Sequence, residues 1–129
     1  MASSGDRLGA GTWALLALRF AVELVLFAAP LVIAVRSLGG AVGLALGLVA
    51  SAAVIVLWGA VLSPRRRIDA PRAARVTLEL VLVAAVSIGF ALTGLGPLAL
   101  ALLAAEAIGV GGLWLLGLPP GTDVGAEQR

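Results

Sequence analysis

The sequence predicts an all-α membrane protein: four transmembrane helices, built as two tandem parallel helical hairpins with both termini on the inner side. Three observations carry this. Of 129 residues, 61% are hydrophobic and only 12% are charged, and mean hydropathy is +1.13; water-soluble domains carry about a quarter charged residues. Four stretches, 13–35, 41–62, 76–93 and 98–118, have the length and polarity of a span, which takes about 20 apolar residues as a helix. Finally, residues 17–29 align without gaps on residues 73–85, at an offset of 56. That offset superposes Arg19 on Arg75, Glu23 on Glu79, Trp58 on Trp114 and Pro64 on Pro120. Leu and Ala matches mean little in so apolar a chain, but these four residue types are scarce.

The first helix, 13–35, contains Arg19, Glu23 and Pro30. A cleaved signal tolerates such interruptions poorly, and the repeat partner of this segment lies inside the chain, so it reads as a permanent span. Pro30 kinks it. Ser37-Leu38-Gly39-Gly40 is the turn of the first hairpin. On the second helix, Gly39, Gly43, Gly47 and Ser51 recur every four residues, a spacing that lets backbones approach closely. Packing within the chain is the first reading of this ladder, and a homodimer seam the second. The helix stops at Pro64. The third helix, 76–93, follows an arginine-rich loop, and residues 94–97 form the second turn, with Pro97 suited to the first turn of helix four. Ala101, Ala105 and Gly109 make a weaker ladder on that helix, which ends at Pro119 and Pro120. The expected division is an N-terminal tail (1–12), one membrane domain (13–118, from repeats 13–64 and 69–120) and a C-terminal tail (119–129).

Orientation follows from arginine placement in short loops. Arg65, Arg66, Arg67, Arg72 and Arg75 stand against Asp69 between helices two and three, with Arg7 and Arg129 toward the termini; the opposite side offers Arg36 alone. The termini and the arginine loop are therefore expected in the cytoplasm. Trp13, Trp58 and Trp114 fall near the same ends, where indole favours the interface. Arg65, Arg66 and Arg67 serve first to fix topology, and secondarily to meet anionic head groups. Ala/Gly/Arg/Val richness suits a GC-rich bacterial genome, and the expected location is the bacterial cytoplasmic membrane.

Composition also excludes. There is no cysteine and no histidine, which removes disulfides, thiolate and imidazole metal sites, and any Ser/His or Cys/His nucleophile pair. No Gly-rich loop is followed by Lys-Ser or Lys-Thr. The sequence pI is 11.1, but net charge is only +2 and the arginines lie between spans, so topology accounts for them better than nucleic acid does. No cofactor, metal or catalytic residue is expected, and the lipid bilayer is the one certain partner.

Five ionisable residues are candidates for binding a ligand or a proton: Glu106, Glu23, Glu79, Arg19 and Arg75. Charged groups at bilayer depth cost about 2.5–3.5 kcal/mol each on insertion scales, so they face protein or water. Arg preceding Glu by four is the weaker order for a local pair. Across the repeat, however, Arg19 can reach Glu79 and Arg75 can reach Glu23, giving a reciprocal cluster. A purely structural cluster, with both arginines snorkelling, is the plain alternative. Glu106 has Ala50 as its repeat counterpart and no basic residue on its own helix. At that depth it carries a proton unless an arginine from another helix reaches it, or it hydrogen-bonds to a backbone carbonyl, Ser51 or Ser87. Phe20, Phe27 and Pro30 share the face of Glu23, as packing or as a cation pocket.

Leu18-Arg19-Phe20-Ala21-Val22-Glu23-Leu24, Leu57-Trp58-Gly59, Ser63-Pro64-Arg65-Arg66-Arg67, and Arg75 with Glu79 form a combination that resembles the YrdB-like family of small bacterial four-helix membrane proteins. The resemblance covers roughly residues 14–118. It implies fold and membrane location and brings no activity with it. For function, the leading expectation is binding or transport of a small ligand, proton or cation through intramembrane acids. The alternatives are a non-catalytic scaffold or partner subunit and, third, an intramembrane enzyme using Glu106 as its acid. Small multidrug exporters share four helices and a membrane carboxylate, but not this duplication or these residues.

Overall fold

The computed structural model describes residues 9–62 and 67–117. Four helices run through them: α1 (Ala10–Leu38), α2 (Gly40–Leu57) continued by one π-helical turn (Trp58–Leu62), α3 (Arg72–Leu92) and α4 (Gly96–Leu115). Each is long and apolar enough to cross a membrane, with mean hydropathy between 1.9 and 2.4, and the chain is a multi-pass membrane protein of the all-α class. The tails at 1–8 and 118–129, and with them Arg7, Pro119, Pro120 and Arg129, lie outside the described residues. So do Ser63, Pro64, Arg65 and Arg66.

The helices outrun the apolar stretches. Arg72 and Arg75, expected in the loop, belong to the opening of α3, because a helix needs backbone partners rather than apolar side chains at the interface. The Arg75 amide already donates to the Pro71 carbonyl at 3.1 Å, and Pro71 at the N-cap ends the helix there. At the other end of the chain α4 stops at Leu115, short of the expected 118: Gly117, at φ 73°, takes the left-handed conformation that terminates helices. The first hairpin turns on Gly39 and Gly40, at φ 65° and 54°, a pair that side-chain-bearing residues adopt poorly.

Helix α1 is the centre of the bundle. Gly43 and Gly47 bring α2 against it so closely that a Cβ on either would stand 2.8 Å from its backbone, at the Ala34 carbonyl and at Leu31 Cα respectively. With Ser51 they are the buried residues of α2, so the small-residue ladder is consumed inside the chain at three of its four positions. Gly39 lies in the turn. Ser51 has a further task. Pro30 disrupts the bonding of α1, and the Leu31 amide donates instead to Ser51 Oγ at 3.2 Å, a repair known for prolines in membrane helices.

The hydrophobic core comes from the other three helices: Val22, Leu26 and Ala29 of α1, Val83, Val86 and Phe90 of α3, Ala99 and Leu102 of α4. The contacts Arg19–Glu79 and Ile33–Gly89 make α1 and α3 parallel. Arg36, in the last turn of α1, donates from Nε to the Thr93 carbonyl at 3.0 Å, a cation on a helix C-terminus. That bond holds both hairpin turns at one end of the bundle.

The two hairpins are not used alike. Helix α4 packs along α1, whereas the second helix touches α3 through its π-helical turn alone among the described residues. The cause is local: Gly112 and Gly109 of α4 admit Leu15 and Arg19 of α1. Their repeat counterparts on α2 are Ala53 and Val56, both exposed.

Candidate functional site

Arg19 is the hub of the polar cluster. Its Nη2 donates to Glu79 Oε1 of α3, as the cross-repeat reading expects. Its Nη1 stands 3.8 Å from Glu106 Oε1 of α4. That second distance is too long for a hydrogen bond but close for two opposite charges. Gly109 makes the approach feasible: a Cβ there would lie 3.1 Å from Arg19 Cγ, so the arginine stem runs in the space the glycine leaves. One guanidinium thus faces two carboxyl groups from two different helices.

Glu106 is 5% exposed, and neither of its oxygens accepts a hydrogen bond. The serines considered for it do not serve it. Ser51 Oγ is bonded to the Leu31 amide, and Ser87 Oγ is itself buried without a partner. Buried carboxyls are ordinarily satisfied, so Glu106 stands out among the described residues as an acid with both oxygens buried and without a donor.

Two cavities meet at Glu79. A small chamber of about 90 Å³ lies between α1 and α3 and holds Arg19, Glu23, Arg75 and Glu79, closed by Trp58 and Leu62. It brings Arg75 and Glu23 to one space. A wider groove of about 620 Å³ runs between α3 and α4, with Glu79 and Glu106 among its lining and Val76, Leu80, Val110 and Trp114 as apolar wall. Arg72 lies over the Trp114 ring, 5.7 Å from its centroid, a cation–π distance.

The aromatic residues are sorted differently from the expectation. Phe20 is 59% exposed and lies outside the lining of the chamber that holds Glu23. The aromatic wall of that chamber is Trp58, seated edge-on against Phe27 at 5.5 Å and 80°. The π-helical turn carries it inward. Trp58 is therefore a site residue that a reading of it as a membrane-surface anchor misses, and the Gly59 that follows is its sole local signal. Trp13 and Trp114 are exposed, as interface anchors are. Arg67 is exposed too, its amide donating to the Ala60 carbonyl at 3.0 Å. Among the described residues no cluster of three metal-ligating side chains exists.

A family described as protein of unknown function, DUF2568, matches residues 17–107. The chain belongs to it. The DUF2568 match opens two residues before Arg19 and closes one residue after Glu106. It therefore contains every member of the polar cluster, while Trp13 and Trp114 fall outside. Comparison with curated proteins and with solved structures gives no match.

Proposed function

We propose that this DUF2568 protein binds one proton or one small cation at its intramembrane acids and moves it across the bilayer. The observation that carries the reading is Glu106, buried with both oxygens unbonded beside an arginine that is already committed to Glu79. Glu23, Glu79 and Glu106 line the two cavities with Arg19, Arg72 and Arg75, and two of the acids, Glu79 and Glu106, share the single guanidinium of Arg19, a local excess of one carboxyl. In a medium of low dielectric such an excess is neutralised by a proton or a bound cation.

The cellular setting belongs to the same proposal. The arginine distribution supports inner-side termini, the YrdB-like resemblance supports a bacterial cytoplasmic membrane, and the 56-residue duplication supports descent from one hairpin. A scaffold role or an enzyme built on Glu106 draws on no observation of comparable weight.

The test is infrared titration of the purified protein in lipid discs, paired with proton flux into dye-loaded proteoliposomes. Glu106→Gln is expected to remove one carboxylic-acid band and to abolish flux. Unchanged spectra and flux in that variant would sink the proposal.

A further inference from the structure

The groove between α3 and α4 is oversized for a proton. Its volume is about 620 Å³, whereas a water molecule takes about 30 Å³ and pockets for small organic ligands measure about 300–1,000 Å³. Its walls are Val76, Leu80, Val110 and the Trp114 indole, with Glu79 and Glu106 as its acids and Arg72, over the indole, as its cation. A hard inorganic cation requires six or more oxygen ligands; this groove supplies two carboxyls and the Thr77 hydroxyl. An ammonium group is satisfied by far less, because each N–H needs one acceptor. Glu106 has two buried oxygens with no donor on either.

We propose that the groove binds an organic cation, a protonated primary amine on an apolar body. The ammonium donates to Glu106, and the body lies along Val76, Leu80 and Val110 beside the exposed Trp114. This rests on the reading of Glu106 as the charge-binding group and adds the ligand class. Arg19 is bonded to Glu79 and stands 3.8 Å from Glu106, so the ammonium takes the acceptor positions of Glu106 that no donor fills. The amine is a free amphiphile. A lipid head group belongs at the level of Arg72, about 10 Å from Glu79 along the helix, and its ammonium would have to leave the interface to reach the acids.

The experiment is calorimetric titration of the full protein in phosphatidylglycerol discs, which contain no lipid amine. The probe is 2-phenylethylammonium, with 2-phenylethanol as the neutral match and sodium as the inorganic one. Saturable one-to-one binding of the ammonium alone is expected, weakened about tenfold or more by Glu106→Gln, the loss that follows from removing a charge-assisted hydrogen bond. Val110→Phe, which fills the groove without touching a charge, is expected to weaken it as well, and decides the matter if Glu106→Gln does not fold. Equal binding to wild type and both variants overturns the proposal, as does equal binding of the alcohol. Sodium binding in place of the ammonium overturns it too. So does no binding at all; if the Glu106 carboxylic-acid band persists in that case, the proton reading survives and only the ligand class falls.

Discussion

Arg19 decides the stability of three helices at once, since its guanidinium is shared by Glu79 and Glu106. Its removal strands two acids in the bundle. Arg19→Ala is expected to destabilise the protein by more than the roughly 1–2 kcal/mol found for a single interhelical polar contact in membranes. The loss should be partly recovered in Arg19→Ala/Glu106→Gln, where one stranded charge is gone. Thermal denaturation of the purified variants checks this. If the double variant melts no higher than the single, Glu106 does not depend on Arg19. The charge swap Arg19→Glu with Glu79→Arg addresses the other arm, and should restore some of the folded protein lost in each single variant. How far these contacts could be read beforehand differs between the two acids. Arg19 and Glu79 stand out because scarce charged residues recur at one offset. Glu106 stands out as an acid, but its partner does not, because no linear pattern says which face of α4 meets α1. The clue was present in Gly109 and Gly112, small where α2 has Ala53 and Val56, and only packing makes it meaningful.

At the level of the helix, α1 and α2 form a unit joined by a defect and its repair. Ser51→Ala is expected to cost about 0.5–1.5 kcal/mol in wild type, the usual worth of a hydrogen bond. It should cost nearly nothing in a Pro30→Ala background, where the Leu31 amide regains a place in a regular helix. A double-mutant cycle on unfolding free energies measures the coupling; equal costs in the two backgrounds would remove the repair role from Ser51. The glycines give a parallel contrast. Gly47→Ala places its Cβ 2.8 Å from the Leu31 backbone and must lower the melting temperature, whereas Gly111→Ala meets nothing within 4 Å and should hold or raise it. The ladder Gly43–Gly47–Ser51 was readable from its spacing; its partner helix was a choice between α1 and a second copy. The π-helical turn had no such warning, because its extra residue per turn arises from how Trp58 seats on Phe27, a contact between helices.

For the molecule as a whole, the four spans follow directly from composition, since apolar length is what a bilayer selects, while the helices begin and end up to four residues from the apolar stretches. The quaternary arrangement of the hairpins does not follow from composition. A duplicated sequence leads one to expect equal use of both halves, yet α2 stands outside a core made by α1, α3 and α4. Small differences at glycine positions override the shared pattern. The orientation is open to a direct check, because the native chain has no cysteine. Single cysteines at Gly94 and Arg67 should be labelled by an impermeant maleimide from opposite sides of intact membranes, the former from outside. Labelling of both from the same side would contradict the arginine-based topology.

The long separation between Arg19 and its two partners sets an order of assembly. Glu79 follows Arg19 by 60 residues, and Glu106 comes later still. At the usual 5–20 residues per second of synthesis, Arg19 is made several seconds before either acid exists. The first hairpin is therefore made with Glu23, four residues on, as the one acid near Arg19. The cross-helix partners of Arg19 arrive with α3 and then α4, so the polar cluster is complete only once the second hairpin is in place.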